Sequence, residues 1–127
     1  MRYVIKNFMS WPVDIRKKLR NLTLSNGVSG MRIAVERGLN PLSCVAFDGN
    51  IITGWSIYVH IHPFVFKRNI IMVYVRKTYR RQGIGSSLVK RLKTKVFNDC
   101  IGIGWDKRSA DFFNSIAKTT LKFYCYK

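Results

Sequence analysis

The chain has 127 residues, of which 47% are hydrophobic, and it carries 23 Lys and Arg against 6 Asp and Glu, a formal net charge of +17. This length suits one domain that buries a core without disulfide or metal staples, so we expect a single domain over residues 1–127. No apolar run approaches the roughly 18 residues of a membrane span, and residues 1–10 lack the pattern of a signal peptide, which favours a cytoplasmic protein without a membrane partner.

The positive charge is the most unusual feature of the composition. An excess of this size favours anionic partners, among which nucleic acid or another acidic macromolecule is the natural candidate. A basic surface that serves only solubility accounts for the same numbers equally well, because net charge does not say where the charges lie.

The cysteines, Cys44, Cys100 and Cys125, are odd in number and lie far apart in apolar stretches. Disulfide frameworks and zinc sites use paired or closely spaced cysteines, so we expect reduced core thiols and no metal site. A nucleophilic cysteine is disfavoured because buried thiols are usually inert.

The N-terminal third of the chain predicts a strand followed by two helices. The strand is expected at residues 3–8, and Ser10 is expected to cap a helix that tolerates Pro12 in its first turn. Apolar residues then recur at helical spacing on one face: Trp11, Ile15, Leu19 and Leu22. Residues 29–37 form a weaker helical segment, with Gly38 and Pro41 as stop signals.

The middle of the chain predicts three antiparallel strands. Residues 42–47 and 51–61 flank the sequence Asp48-Gly49-Asn50, which accepts the positive φ values of a tight hairpin turn. A third strand is expected at residues 69–76.

The C-terminal part predicts a helix, a strand, a helix and a strand. The first helix has an apolar stripe and an opposite basic side, formed respectively by Ile84, Leu88, Leu92 and Val96 and by Lys90, Arg91, Lys93 and Lys95. A short strand at residues 100–105, a helix from an Asp106 cap to Ala117, and a final strand at residues 121–126 follow. The element order therefore predicts a mixed α/β (α+β) fold.

The clearest functional signal lies in the turn between the strand expected at residues 69–76 and the helix that follows it. Gly83 and Gly85 let a ligand approach the backbone, and the first N–H groups of the helix have no intrahelical partner. The positive end of the helix dipole and the guanidinium groups of Arg80 and Arg81 add charge beside those donors. The turn therefore suits a phosphate-bearing anion.

Two common phosphate-binding motifs fit this turn poorly. A Walker turn requires Gly-Lys-Ser/Thr where the chain has Gly85, Ser86 and Ser87, and a dinucleotide fingerprint requires a third glycine where the chain has Leu88. A plain strand-to-helix turn with incidental glycines stays open.

The spacing Arg80-x-x-Gly83-x-Gly85, preceded by Tyr79 and by Val73-x-Val75, resembles the acyl-CoA signature of the GNAT-type N-acetyltransferases. The resemblance covers nearly the whole chain and implies a mixed, mainly antiparallel sheet with splayed central strands, flanked by helices. It implies acetyl-CoA as co-substrate, and its pantetheine and pyrophosphate are expected to contact Val73, Tyr74, Val75, Arg80, Arg81, Gln82, Gly83, Ile84, Gly85 and Ser86. The amide near Val73 would polarise the thioester carbonyl as an amine attacks directly.

The sequence departs from the family at the general base. Many members carry Glu on the strand that leads into the motif, whereas Ile71 and Met72 lie there and the only Glu is Glu36. His60 and His62 are the candidate replacements, since alternate residues of a strand share one face and imidazole titrates near neutrality. The alternative that both histidines are structural, hydrogen-bonded residues without a catalytic role fits the sequence at least equally well.

A second departure concerns the general acid, which the family often supplies as Tyr in a pattern such as N-x-x-A-x-x-x-Y. Ala110 matches that pattern, but Lys107 and Asn114 replace its Asn and Tyr. The candidates for this acid are Ser115 and Tyr124.

These observations predict an N-acetyltransferase whose primary-amine acceptor lies on or near a polyanion such as nucleic acid or a nucleic-acid-bound protein. The missing Glu and Tyr leave open a catalytically degenerate relative that binds nucleic acid or a protein partner. A small basic ribonucleoprotein component would leave the glycine turn unexplained. The few residues after Thr120 leave room for one strand where the family usually has a hairpin, which favours a homodimer.

Overall fold

The computed structural model describes residues 1–22, 40–61, 68–96, 100–104, 111–112 and 122–125, with the backbone alone at 59–61, 68–70, 100–104 and 122–125. Its strands are β1 (Arg2–Asn7), β2 (Leu42–Asp48), β3 (Ile51–Ile61), β4 (Arg68–Val75), β5 (Cys100–Gly104) and β6 (Lys122–Cys125). Its helices are α1 (Val13–Asn21) and α2 (Ile84–Lys93), with 3₁₀ turns at Phe8–Ser10 and Lys77–Tyr79.

The strands form one sheet in the order β1-β2-β3-β4-β5-β6. The first four pair antiparallel, whereas β5 runs parallel to both β4 and β6. This arrangement confirms the predicted mixed, mainly antiparallel sheet. The predicted strand ends agree with the observed ones to within one residue, except that the ends predicted at residues 105, 121 and 126 lie outside the described residues.

The two helices cover opposite faces of the sheet. Under α1 the buried residues are Phe8, Trp11, Leu19, Leu22, Val45, Phe47, Ile52, Trp55, Ile57 and Met72. Under α2 they are Cys44, Ala46, Ile71, Ile84, Leu88, Val89 and Leu92. Side chains alternate between the faces along each strand, so neighbouring residues of β2 and β4 belong to different cores.

A bulge in β3 shifts this alternation. Ala46 pairs with Gly54 while Phe47 pairs with Ile52, so Thr53 is an extra residue in β3. Such an insertion puts Ile52 and Trp55 on the same face of the sheet.

Ser10 is not the helix cap that the sequence predicts. The Trp11 N–H donates to the Phe8 carbonyl oxygen at 3.2 Å, which closes a 3₁₀ turn over Phe8–Ser10. Pro12 is the N-cap residue, and its carbonyl accepts from the Arg16 N–H at 2.9 Å. The apolar face of α1 is as predicted: Leu19 is fully buried and Ile15 is half-buried.

Two buried hydroxyl groups fix the helices on the sheet. The indole Nε1 of Trp11 donates to Ser43 Oγ at 2.9 Å, and Ser43 Oγ donates to the Lys6 carbonyl at 2.6 Å. On the opposite face, Ser56 Oγ donates to the Leu88 carbonyl in α2 at 2.9 Å. This last bond ties the middle of α2 to β3.

The apolar stripe predicted for α2 is confirmed, since Ile84, Leu88 and Leu92 are buried while Lys90 and Arg91 are exposed. The helix predicted at residues 29–37 and the ends predicted at Asp106 and Ala117 lie outside the described residues. None of the described helices combines the length and apolarity needed to cross a bilayer.

Cys44 is a free, buried thiol, as predicted. Burial raises its pKa from 9.0 to about 11, and the nearby charge of Arg91 opposes part of that shift. The thiol is therefore neutral at physiological pH, which is the behaviour of a core residue.

Candidate active site

Strands β4 and β5 separate part-way along their length. Their pairing runs through Asn69–Cys100 and Ile70–Ile101 and ends at Ile71–Gly102. Beyond that point β5 continues beside β6, while residues 72–75 of β4 have no strand partner on this side within the described part of the chain. This is the predicted splay of the central strands.

The backbone of β4 presents polar groups to the gap. The Arg76 N–H donates to the Thr53 carbonyl at 2.8 Å, so this pair is a hydrogen-bonded one. In an antiparallel ladder hydrogen-bonded and non-hydrogen-bonded pairs alternate, and no register shift interrupts β3 and β4. The N–H and C=O groups of Val73 and Val75 therefore point away from β3, towards the gap.

The turn after β4 leads directly into α2. Arg81 has φ 64°, an uncommon value for a residue with a side chain, and Gly83 has φ 77°. Gly83 is the N-cap of α2 and makes no side-chain capping bond. The N–H groups of the first helical turn therefore have no intrahelical acceptor and face the space in front of the turn.

A cleft of about 360 Å³ lies between the end of β4, the turn and the first turn of α2. Every residue that the sequence predicts as a cofactor contact lines it except Gln82, which is exposed. Tyr79 and Phe112 complete the wall. The structure therefore brings the predicted residues into one concave surface.

Gly85 has a second role besides exposing the backbone. A Cβ atom at this position would lie 3.0 Å from Cε1 of Phe112 and 3.3 Å from its Cζ. The missing side chain thus lets the Phe112 ring approach α2. The Phe112 ring both packs against the core under α2 and lines the cleft.

The two arginines of the turn differ in their surroundings. Arg80 is half-buried, and its Nε donates to the Val75 carbonyl at 2.8 Å. Its guanidinium carbon lies 5.9 Å from the ring centroid of Tyr74. Arg81 is exposed.

The structure adds Gly54, which the sequence pattern did not single out. A Cβ atom there would lie 2.6 Å from the Tyr74 carbonyl oxygen and 3.2 Å from Cδ1 of Leu88. Only glycine allows β3, β4 and α2 to meet this closely behind the cleft. An isolated glycine inside a strand pattern is the signal that could have found it.

Tyr79 is tied to the β2–β3 turn. Its hydroxyl donates to Oδ2 of Asp48 at 2.9 Å. This hydrogen bond raises the pKa of Tyr79, and the charge of Arg76 opposes the shift. The contact links the hairpin to one wall of the cleft.

The candidate catalytic residues are only partly described. His60 pairs with Asn69, so its backbone is about 13 Å along β4 from the level of Val73, at 3.3 Å per residue. Tyr124 pairs with Ile103, one residue beyond the last β4–β5 pair. The side chains of both, and all of His62 and Ser115, lie outside the described part of the chain.

Residues 17–116 match the model of the acetyltransferase (GNAT) family. The chain belongs to this family. The match covers most of the chain, including the splayed strands, the turn and the cleft. It confirms the resemblance drawn from the spacing of Arg80, Gly83 and Gly85.

Individual GNAT proteins resemble the chain more loosely. A thialysine N-epsilon-acetyltransferase of Sus scrofa is 26% identical over 82 residues, which is 58% of this chain and 48% of that protein. The chain thus matches about half the length of this curated relative.

Solved structures establish the same fold. An aminoglycoside N-acetyltransferase in complex with CoA has a TM-score of 0.61 at 12% identity, over 99% of this chain and 98% of its own. A GNAT-family protein of Streptococcus pneumoniae has a TM-score of 0.56 at 21% identity, over 91% of this chain and 86% of its own. Both identities are low, so these likenesses concern the fold.

Proposed function

We propose that this GNAT-family chain transfers an acetyl group from acetyl-CoA to a primary amine. The observation that carries the proposal is the cleft in which the open side of β4 meets the unpartnered N–H groups at the start of α2. One wall suits a chain of amides and the other suits a diphosphate. Acetyl-CoA carries both groups in one molecule.

In this proposal the turn binds the pyrophosphate. The N–H groups of residues 81–86 donate to its oxygens, and the positive end of the α2 dipole favours its charge. Arg81 is exposed beside the turn and supplies a guanidinium group. Gln82 is a contact through its backbone only, since its side chain is outside the cleft lining.

The end of β4 binds the pantetheine arm. The Val73 C=O and the Val75 N–H point into the gap that β5 leaves, so they can pair with amides as a missing strand would, while the Val75 C=O already accepts from Arg80 Nε. The Val73 N–H then stabilises the negative charge that grows on the thioester oxygen during attack by the amine. A fixed donor of this kind is worth about 3 kcal/mol of barrier.

The proton-transfer groups of this proposal are His60 or His62 as base and Ser115 or Tyr124 as acid. The register of β5 and β6 favours Tyr124, because its backbone lies next to the splay. CoA thiolate leaves without much help, so loss of the acid slows the reaction by about 10²- to 10⁴-fold and does not abolish it. The proposal includes no metal.

The basic side of α2 supports an acceptor on or near a polyanion. Lys90 and Arg91 are exposed in α2, Lys93 is half-exposed, Lys95 is exposed just after the helix, and α2 carries no acidic residue. Lys90 and Lys93 repel each other at a cost of about 0.2–0.5 kcal/mol, the helix dipole at the C-terminal end of α2 favours both cations, and an anion bound there would favour them further. Nucleic acid, or a protein bound to it, is the anion we propose.

Calorimetric titration with acetyl-CoA tests the cofactor part of the proposal. We expect binding by the wild type and none by Gly83→Ala, because alanine at φ 77° distorts the helix start. Gly49→Ala is the matched control, since Gly49 has φ 60° and equally open surroundings but does not line the cleft. Absence of wild-type binding at submillimolar ligand contradicts the proposal.

A second candidate function is a GNAT-like chain that binds without turnover. It is favoured by the apolar residues Ile71 and Met72 where many relatives carry Glu. Thioester consumption measured across a panel of amines separates the two functions, because only the enzyme releases free CoA.

Three further predictions belong to this proposal. The first is a single domain, the second a cytoplasmic location, and the third a homodimer that pairs through the edge at β6, the last strand of the described sheet. Light scattering tests the third: a dimer has twice the 14.8 kDa of one chain.

A further inference from the structure

Arg80 and Arg81 are neighbours in the turn and both line the cleft, but their side chains differ in direction. The spacing of the motif places both guanidinium groups beside the phosphate-binding amides. Arg80 instead turns back towards β4, where its Nε donates to the Val75 carbonyl at 2.8 Å.

The Val75 carbonyl is one of the β4 backbone groups that have no hydrogen-bond partner in β5, because β4 and β5 separate before this level. It points away from β3, and β5 has already diverged at this level. A charge-assisted hydrogen bond from Arg80 satisfies it and fixes its direction. The contact spans five residues of sequence, so it closes the turn back onto the strand that precedes it.

A second contact holds the same guanidinium group. Its central carbon lies 5.9 Å from the ring centroid of Tyr74, within cation–π range. That ring lies 6.1 Å from the ring of Trp55, which is 1% exposed. Arg80 therefore connects the end of β4 to the core under α1.

We infer that Arg80 is a positioning residue: it clamps the end of β4 to the turn, so that the amide-binding strand and the diphosphate-binding turn keep a fixed spacing. The inference rests on the proposed function and deepens it, because it assigns Arg80 to the strand and Arg81 to the anion. With its carbonyl occupied, Val75 offers its N–H to the pantetheine arm, and Val73 offers its C=O to the arm and its N–H to the thioester oxygen.

Two ligands separate this role from a direct phosphate contact. CoA carries both the diphosphate and the pantetheine arm, whereas ADP carries the diphosphate without that arm. Because Arg80 acts through β4, Arg80→Met is expected to weaken CoA about tenfold, the size of one charge-assisted hydrogen bond, and to change ADP affinity less than about twofold. Arg81→Met, the matched control, is expected to weaken both ligands alike.

A second variant and a ligand-free measurement keep the test decisive if Arg80→Met is poorly folded. Arg80→Lys keeps the charge but not the planar group, and it is expected to weaken CoA in the same direction. Amide hydrogen exchange at Arg76, whose N–H donates to the Thr53 carbonyl, is expected to speed up in both variants because the strand end is released.

Equal losses of CoA and ADP affinity in Arg80→Met would overturn the inference, because they mean a direct phosphate contact. Full CoA affinity in Arg80→Lys would also overturn it, since charge alone would then suffice, and so would unchanged exchange at Arg76. A wild-type chain that binds neither ligand overturns the proposed function itself, and the exchange measurement still decides whether Arg80 clamps β4.

Discussion

Gly54 sits so close to Tyr74 that a Cβ atom on the glycine would lie 2.6 Å from the tyrosine carbonyl oxygen. This approach brings β3 against the part of β4 that lines the cleft. It also leaves room for Leu88 of α2, whose Cδ1 would lie 3.2 Å from the same Cβ. The shape of the cleft therefore depends on a glycine that does not touch it.

Gly54→Ala is expected to lower the free energy of unfolding by about 1–3 kcal/mol, because the added methyl group forces backbone apart in a packed region. Since β4 must shift, we also expect weaker CoA binding. Thermal unfolding and calorimetric titration measure the two effects. Ile51→Ala, at a position of the same strand that is 52% exposed, is the control and should leave both nearly unchanged.

The Tyr79–Asp48 hydrogen bond predicts a pH dependence at the alkaline end. It raises the folded-state pKa of Tyr79 above the unfolded value of about 10, so its stabilisation is complete below that pH and is lost as the pH rises through the folded pKa. Spectrophotometric titration should show one phenol that ionises late in the wild type and earlier in Asp48→Asn. Identical titration curves for the two proteins would contradict the contact.

Cys44 predicts a separate alkaline effect. Burial raises its pKa from 9.0 to about 11, so the folded chain resists ionising the thiol and loses stability relative to the unfolded chain across that interval. Cys44→Ala should remove this part of the decline in unfolding free energy between pH 9.0 and about 11. The native thiol should also react slowly with a disulfide reagent at pH 8 and rapidly in denaturant.

The basic side of α2 predicts where a polyanion binds. Replacing Lys90, Arg91 and Lys95 by alanine should weaken binding of a nucleic-acid probe and lower its salt dependence, because each lost phosphate contact removes about 0.9 from the slope for a duplex. The control replaces Lys17, Lys18 and Arg20, which are exposed on α1 at the other face of the sheet. Equal losses in both triple variants would mean that charge acts without a defined surface.

Local patterns were enough to predict the elements around the site. The hairpin at Gly49 and the helix start at Gly83 follow from residues that accept positive φ, and both have it. The helix cap predicted at Ser10 was wrong because the 3₁₀ turn over Phe8–Ser10 depends on the hydrogen bond of Trp11 to Ser43, which lies 32 residues further along the chain. No periodicity contains that information.

The site itself was predicted as a set of residues but not as a set of contacts. The predicted cofactor contacts include every residue of the cleft wall except Phe112 and Tyr79, of which the motif names Tyr79 without giving it a contact. The direction of Arg80 could not be predicted, since it depends on a carbonyl that is vacant only because β5 diverges. The role of Gly54 could not be predicted for a similar reason, because the close contacts around it arise where β3, β4 and α2 meet.

Among the residues that the structure describes, the seam between β4 and β5 consists of the pairs at Asn69, Ile70 and Ile71 only. The two C-terminal strands are therefore joined to the rest of the sheet by a short hinge-like contact. A linear molecule bound along residues 72–75 of β4 would pair with that strand as an additional strand does. It would thereby connect β4 to the part of the sheet formed by β5 and β6. We expect occupancy of the cleft to stiffen the far edge of the sheet, so that substrate loading and rigidity rise together.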